Sequence, residues 1–130
     1  MAELVKEIWI DAPPERVFPL LTDPELATRW LAEECWHEPR PGGLFRLDIR
    51  GSVASGEFVE LDPPRRVVFT WGWEGDDQIH PPGSTRVEID LEPDRGGTLV
   101  RLRHTGLTDE GVEKHSEGWD EFLPRLAAAA

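Results

Sequence analysis

Residues 108–126 read Thr108-Asp-Glu-Gly-Val-Glu-Lys-His-Ser-Glu-Gly-Trp-Asp-Glu-Phe-Leu-Pro-Arg-Leu126. Thr108, Asp109 and Glu110 open a helix there. Val112, His115, Trp119, Phe122, Leu123 and Leu126 then recur at three- and four-residue steps, which gives the helix a broad apolar stripe. Pro124 is expected to bend or end its regular part. A stripe this wide needs something large and concave to lie against, and the rest of the chain offers one candidate, a sheet.

The strands are read from alternation. Leu44–Arg50 places Phe45, Leu47 and Ile49 on one face. Gly56–Leu61 ends in the turn Asp62-Pro-Pro-Arg65. Val67, Phe69, Trp71 and Trp73 alternate with Val68, Thr70 and Gly72. Glu74–Ser84 is a polar loop. Val87, Ile89 and Leu91 alternate with Glu88, Asp90 and Glu92, and Pro93–Gly97 is a hairpin turn. Val100, Leu102 and His104 then share a face, with Arg101 and Arg103 opposite. Cys35–Glu38 is a further short candidate.

At the other end, Glu3–Ile10 reads as a first strand. Pro13 and Pro14 suit the first turn of a helix, and Val17, Leu20 and Leu21 give it one apolar face. Pro19 conflicts with a regular helix, so a short or kinked one is expected. Thr22-Asp23-Pro24-Glu25 starts a second helix, expected to run to about Trp30. Together these elements predict an α+β domain spanning residues 1–130, a curved sheet folded around a long terminal helix with a cavity between them.

Composition narrows the function. The 130 residues carry a formal net charge of −12, which repels a phosphate backbone and argues against nucleic acid. Cys35, the single cysteine, excludes an internal disulfide and fits a reducing cytoplasm. No apolar run reaches membrane-spanning length, and residues 1–7 lack a signal-peptide core. Few amide side chains and many prolines give a thermophile-like composition. No metal, nucleotide or nucleophile signature is present. Cys35, His37, Glu33 and Glu34, and separately Asp76, Asp77 and His80, supply ligand atoms without a defined spacing. No cofactor is expected.

Taken in order, Ala12-Pro-Pro-Glu-Arg-Val-Phe18, Leu21-Thr-Asp-Pro24, Trp30, Gly42-Gly43-x-Phe45-Arg46, Gly56-x-Phe58-x-Glu60, Pro63-Pro64-x-Arg66, Val68-Phe-Thr-Trp71, Gly97-Thr98, His104-Thr-Gly-Leu107 and Gly118-Trp119 resemble one known family. It is the bacterial branch of activator of heat-shock-protein-90 ATPase homologue-like proteins, in the START-related (SRPBCC) superfamily with the helix-grip fold of the birch-pollen allergen. The resemblance runs from about Val5 to Leu126. It implies a seven-stranded antiparallel sheet gripping the C-terminal helix, two short helices after the first strand, and a hydrophobic cavity. Superfamily members bind lipids, sterols, polyketides or plant hormones, and some are cyclases or hydrolases.

The candidate ligand-binding residues are Trp30, Phe45, Phe69, Trp71, Val87, Ile89, Val100, Leu102, His104, Trp119 and Phe122. Trp36 and Trp73 join the same set of large rings. Such rings either leave room for an apolar guest or pack solid. His104, on an apolar strand face, is a ligand contact, an acid/base, or a structural histidine satisfied by a neighbour. Three functions follow: a carrier or sensor of a hydrophobic small molecule, a cyclase- or hydrolase-type enzyme using His104, and a chaperone-interacting module using the outer rows Glu88/Asp90/Glu92 and Arg101/Arg103. The first is favoured, in a monomer or weak homodimer with no stable membrane insertion.

Overall fold

Helix α3 (Asp109–Ala129) is the longest element, and the sheet bends around it. The computed structural model describes residues 2–75 and 78–130. Thr108 caps α3, its hydroxyl accepting from the backbone N–H of Gly111, and Asp109 and Glu110 stand at the positive end of the helix dipole. Trp119, Phe122, Leu123 and Leu126 are buried, while Val112 and His115 are half-buried. Pro124 does not end the helix, which continues to Ala129. Proline costs one ladder bond and some crowding, and the buried residues on either side of it hold the turn in place.

Seven strands form one antiparallel sheet in the order β1-β7-β6-β5-β4-β3-β2. They are β1 (Ala2–Ile10), β2 (Glu34–Cys35), β3 (Leu44–Ile49), β4 (Ser52–Asp62), β5 (Arg66–Trp71), β6 (Thr85–Asp94) and β7 (Gly97–Leu107). The chain meanders from β2 to β7, and β1 returns to pair with β7. Each strand sends alternate side chains inward: Phe45 and Leu47 on β3, Val67, Phe69 and Trp71 on β5, Val87, Ile89 and Leu91 on β6, Val100, Leu102 and His104 on β7. This is the helix-grip architecture that the sequence predicts.

The first of the two short helices has the short form expected of it, and the second ends earlier than expected. Helix α1 (Pro14–Thr22) starts on Pro14 and passes through Pro19. Helix α2 (Pro24–Ala27) stops three residues before Trp30. Asp23 caps α2, accepting from the N–H groups of Glu25 and Leu26, and the Thr28 hydroxyl donates to the Glu25 carbonyl at 2.6 Å, closing the helix after one turn. The Trp30 indole then donates to the Leu20 carbonyl at 2.7 Å, pinning the chain against α1. Strand β2 is shorter than Cys35–Glu38. Beyond Cys35 only the N–H groups of Trp36 and Glu38 reach β3, so the ladder there is one-sided.

Strand β4 begins at Ser52, four residues before Gly56. The two-residue turn Arg50-Gly51 joins it to β3, both residues having positive φ (54° and 89°). Such turns ordinarily carry Asn-Gly, so arginine in the first position conceals the hairpin. The outer face carries ion pairs between neighbouring strands: Glu3 with Arg103, Glu7 with Arg101, and Arg66 with Glu60, Glu88 and Asp90. Glu60 is thus a surface carboxylate. Among the described residues no helix is long and apolar enough to cross a membrane.

Candidate functional site

The rings between sheet and helix form one continuous lattice with two unlike ends. At the β3–β4 end, Phe45 stacks on Phe69 with centroids 3.9 Å apart and on His37 at 4.3 Å, and Phe58 meets Phe45 edge-on at 5.5 Å. These rings fill their space. Toward the N-terminal half of α3 the rings turn. Trp73 stands perpendicular to Trp71 at 5.4 Å, and Trp119 tilts 48° from Trp71 at 5.6 Å. Beyond them lies a cavity of about 890 Å³, walled by Ile49, Val53, Trp71, Trp73, His115, Trp119 and Phe122, with Gly118 on the helix side.

Gly118 shapes this volume. In a helix interior glycine is about 1 kcal/mol less favourable than alanine. A Cβ placed on Gly118 meets no atom within 4 Å, so the residue is not excluded by crowding. The absent side chain leaves the cavity open. Gly111, one helical stretch earlier, is the opposite case: a Cβ there would meet Cε1 of His80.

Three histidines line up beside the cavity, His80 against His115 (5.4 Å) and His115 against His104 (4.9 Å). Their hydrogen bonds fix their protonation. The Trp119 indole can only donate, so Nδ1 of His104, 3.2 Å away, is the acceptor. Nε2 therefore carries the proton and donates to the Thr85 hydroxyl at 2.8 Å, which in turn donates to the Trp71 carbonyl at 2.7 Å. Neutral His104 satisfies every member of this chain. Burial, reinforced by His115 and His80, drives its pKa down to about 3. His104 is thus a fully engaged structural histidine, without a carboxylate partner.

His115 is also neutral by the same logic. Its Nε2 accepts from the Trp73 indole at 3.2 Å, and its Nδ1 donates to the Gly111 carbonyl at 2.7 Å. Burial lowers its pKa. His80 accepts the Thr108 N–H at 3.1 Å, which ties the β5–β6 loop to the start of α3. Among the described residues Trp71 Nε1 is buried without an acceptor.

Of the residues predicted to bind ligand, Trp71, Trp119 and Phe122 stand on the cavity wall. Phe45 and Phe69 belong to the filled end. Val87, Ile89, Val100, Leu102 and His104 form the packed floor of the sheet, behind the wall. Trp30 borders a smaller adjoining cleft. Trp36 does not join the interior: it is 39% exposed, with the Arg46 guanidinium 4.6 Å above its ring. The sequence pattern does not mark Gly118, Ile79 or Arg50 as wall residues; a glycine inside an amphipathic helix is the available signal.

Cys35 is half-buried, and burial raises its thiol to about 11, with Asp23 adding to the effect against a backbone hydrogen bond at His37. It is no nucleophile at neutral pH. Among the described residues no three His, Cys, Asp or Glu side chains gather as a metal site. Asp76 and Asp77 lie outside the described residues.

The family described as Activator of Hsp90 ATPase homolog 1-like protein (AHSA1) matches residues 11–130. The chain belongs to this family. An AHSA1-like protein of Rhizobium etli, RHE_CH02687, is 44% identical, with a TM-score of 0.77 over 99% of this chain and 82% of that one. CalU16 of Micromonospora echinospora is 30% identical, with a TM-score of 0.81 over 98% of this chain and 74% of that one. The human Activator of 90 kDa heat shock protein ATPase homolog 1 is 26% identical over 118 residues, 91% of this chain. This AHSA1-like chain spans 33% of the length of that human relative.

Proposed function

We propose that this protein binds a hydrophobic small molecule in the cavity between sheet and α3, as a carrier or sensor. The observation that carries the reading is the 890 Å³ cavity kept open by Gly118. That volume falls within the range of small-molecule sites, and its wall combines rings and aliphatic side chains (Trp71, Trp73, Trp119, Phe122, Ile49 and Val53) with polar ones, among them Glu74, Lys114 and His115. Burying a guest's apolar surface supplies about 25 cal/mol per Å². Among the described residues the buried indole N–H of Trp71 meets no acceptor, so it is a donor a guest could use. His104, locked neutral between Trp119 and Thr85, positions the wall residue Trp119 and has no free proton to exchange, which weighs against the enzymatic alternative.

A chaperone-docking role draws support from the name of the human relative. The outer rows suggested for it are already occupied: Arg101 and Arg103 pair with Glu7 and Glu3, and Glu88 and Asp90 pair with Arg66.

Gly118→Phe tests the cavity reading. The new ring has space to enter, so the variant is expected to fold with an unreduced melting temperature while binding the fluorescent apolar probe N-phenylnaphthylamine at least tenfold more weakly. Equal binding by both proteins, or none by the wild type, overturns the reading.

A further inference from the structure

Beside the main cavity lies a second cleft of about 260 Å³. The two share four wall residues, Leu31, Ile49, Arg50 and Phe122, so a molecule in one adjoins the other. Their chemistry differs. The large cavity carries rings together with groups of both charges (Glu74, Glu110, Arg50 and Lys114), whereas the charged wall residues of the small one are three guanidiniums, Arg29, Arg50 and Arg125, against one carboxylate, Glu33.

This gathering runs against the chain's charge. The protein carries 26 acidic and 14 basic residues, yet here three arginines face two carboxylates, Glu33 on the wall and Glu121 behind it. Glu121 pairs with both Arg50 and Arg125 (2.9 Å to the latter), so one anion serves two cations. Both guanidiniums also lie over the Phe122 ring, at 5.5 and 5.2 Å, which holds them at the junction of the two spaces. Arg50 does so from a turn position with φ of 54°, where an arginine is disfavoured.

We propose that this cleft receives the anionic head of an amphiphilic ligand, a carboxylate or similar oxyanion, whose apolar body fills the main cavity. Arg29 and Arg125 are its specificity-determining contacts. Arginine suits this role because its planar fork matches an oxyanion with two parallel N–H donors. The inference rests on the cavity reading above and adds the class of ligand to it.

A matched pair of competitors tests it at low salt. Dodecanoate and dodecanol differ in the head and share the chain length, and each is titrated against bound N-phenylnaphthylamine, with acetate as the control that keeps the anionic head and lacks the apolar body. Dodecanoate should displace the probe at least tenfold more tightly than dodecanol, and acetate should not displace it. The double variant Arg29→Gln/Arg125→Gln should lose that preference while dodecanol binds as before, and added salt should narrow the wild-type preference. Dodecanol binding as well as dodecanoate, an unchanged preference in the double variant, or displacement by acetate alone overturns the head site and leaves the cavity standing. Failure of N-phenylnaphthylamine itself to bind overturns both.

Discussion

The β3–β4 end of the aromatic lattice and its α3 end are built from the same residue types, yet one is solid and the other hollow. Phe45, Phe69 and His37 stack face to face within 4.3 Å, and Phe58 closes the side. Trp71, Trp73 and Trp119 meet at steep angles, with glycine in place of a side chain on the facing helix turn. Ring count therefore does not decide whether this interior leaves a cavity. Ring orientation and the volume of the opposing helix residue do. The histidines divide in the same way. His104, at the hollow end, has both nitrogens bonded, whereas His37, 6% exposed in the solid end, has neither.

The largest expected effect separates the two ends by stability. Phe45→Ala removes a ring surrounded on all sides and should cost about 3–5 kcal/mol in urea unfolding. Phe122→Ala removes a ring with a cavity on one side, has fewer contacts to lose, and should cost about 1–2 kcal/mol less. Equal costs would break the division into solid and hollow.

Acid should act next, through the buried histidines. Burial holds His37 near 4 and His104 near 3, both below the ordinary 6.5. The unfolded chain therefore binds protons first as pH drops. Their contribution is whole above pH 6.5 and is lost progressively as pH falls through about 4 for His37 and about 3 for His104, with a combined loss on the order of several kcal/mol. His37→Phe removes two unbonded nitrogens from an apolar site, so it should stabilise the protein by about 1 kcal/mol at pH 7 and flatten part of the acid slope. Destabilisation of that variant at pH 7 would show that His37 has a partner the structure does not reveal. Chemical denaturation at a series of pH values checks both statements.

The smallest effect comes from one helix. Gly118→Ala should raise stability by about 0.5–1 kcal/mol, since the methyl group enters open space. Gly111→Ala should lower it, because the methyl group meets the His80 ring. Thermal unfolding of both would sharpen the assignment of Gly118 as the residue that keeps volume free.

Much of this fold is written in local pattern. The three- and four-residue stripe of α3 and the alternation of β5, β6 and β7 depend on which face each side chain takes, and the burial of Trp119, Phe69, Ile89 and Leu102 follows them. Elements set by single unusual residues were harder to read. Arg50 hides a hairpin because its turn conformation is held by contacts to Glu121 and Phe122, far along the chain. Pro124 reads as a place to bend or end its helix, yet tertiary packing carries α3 through to Ala129. The site was legible only as a list of rings. Which rings pack and which leave space depends on angles between strands and helix, and pattern does not encode them. The tautomer of His104 depends on Trp119 and Thr85, one on α3 and the other on β6, meeting on the same ring.

The six tryptophans offer the most direct test of the central claim, since Trp71, Trp73 and Trp119 wall the cavity while Trp9, Trp30 and Trp36 do not. Their indole N–H resonances can be followed by two-dimensional NMR during titration with N-phenylnaphthylamine. Saturable shifts confined to Trp71, Trp73 and Trp119, with Trp9 and Trp36 unmoved, are the predicted result. Shifts at Trp9 or Trp36 without movement of the three wall indoles would place binding on the outer surface and contradict the account.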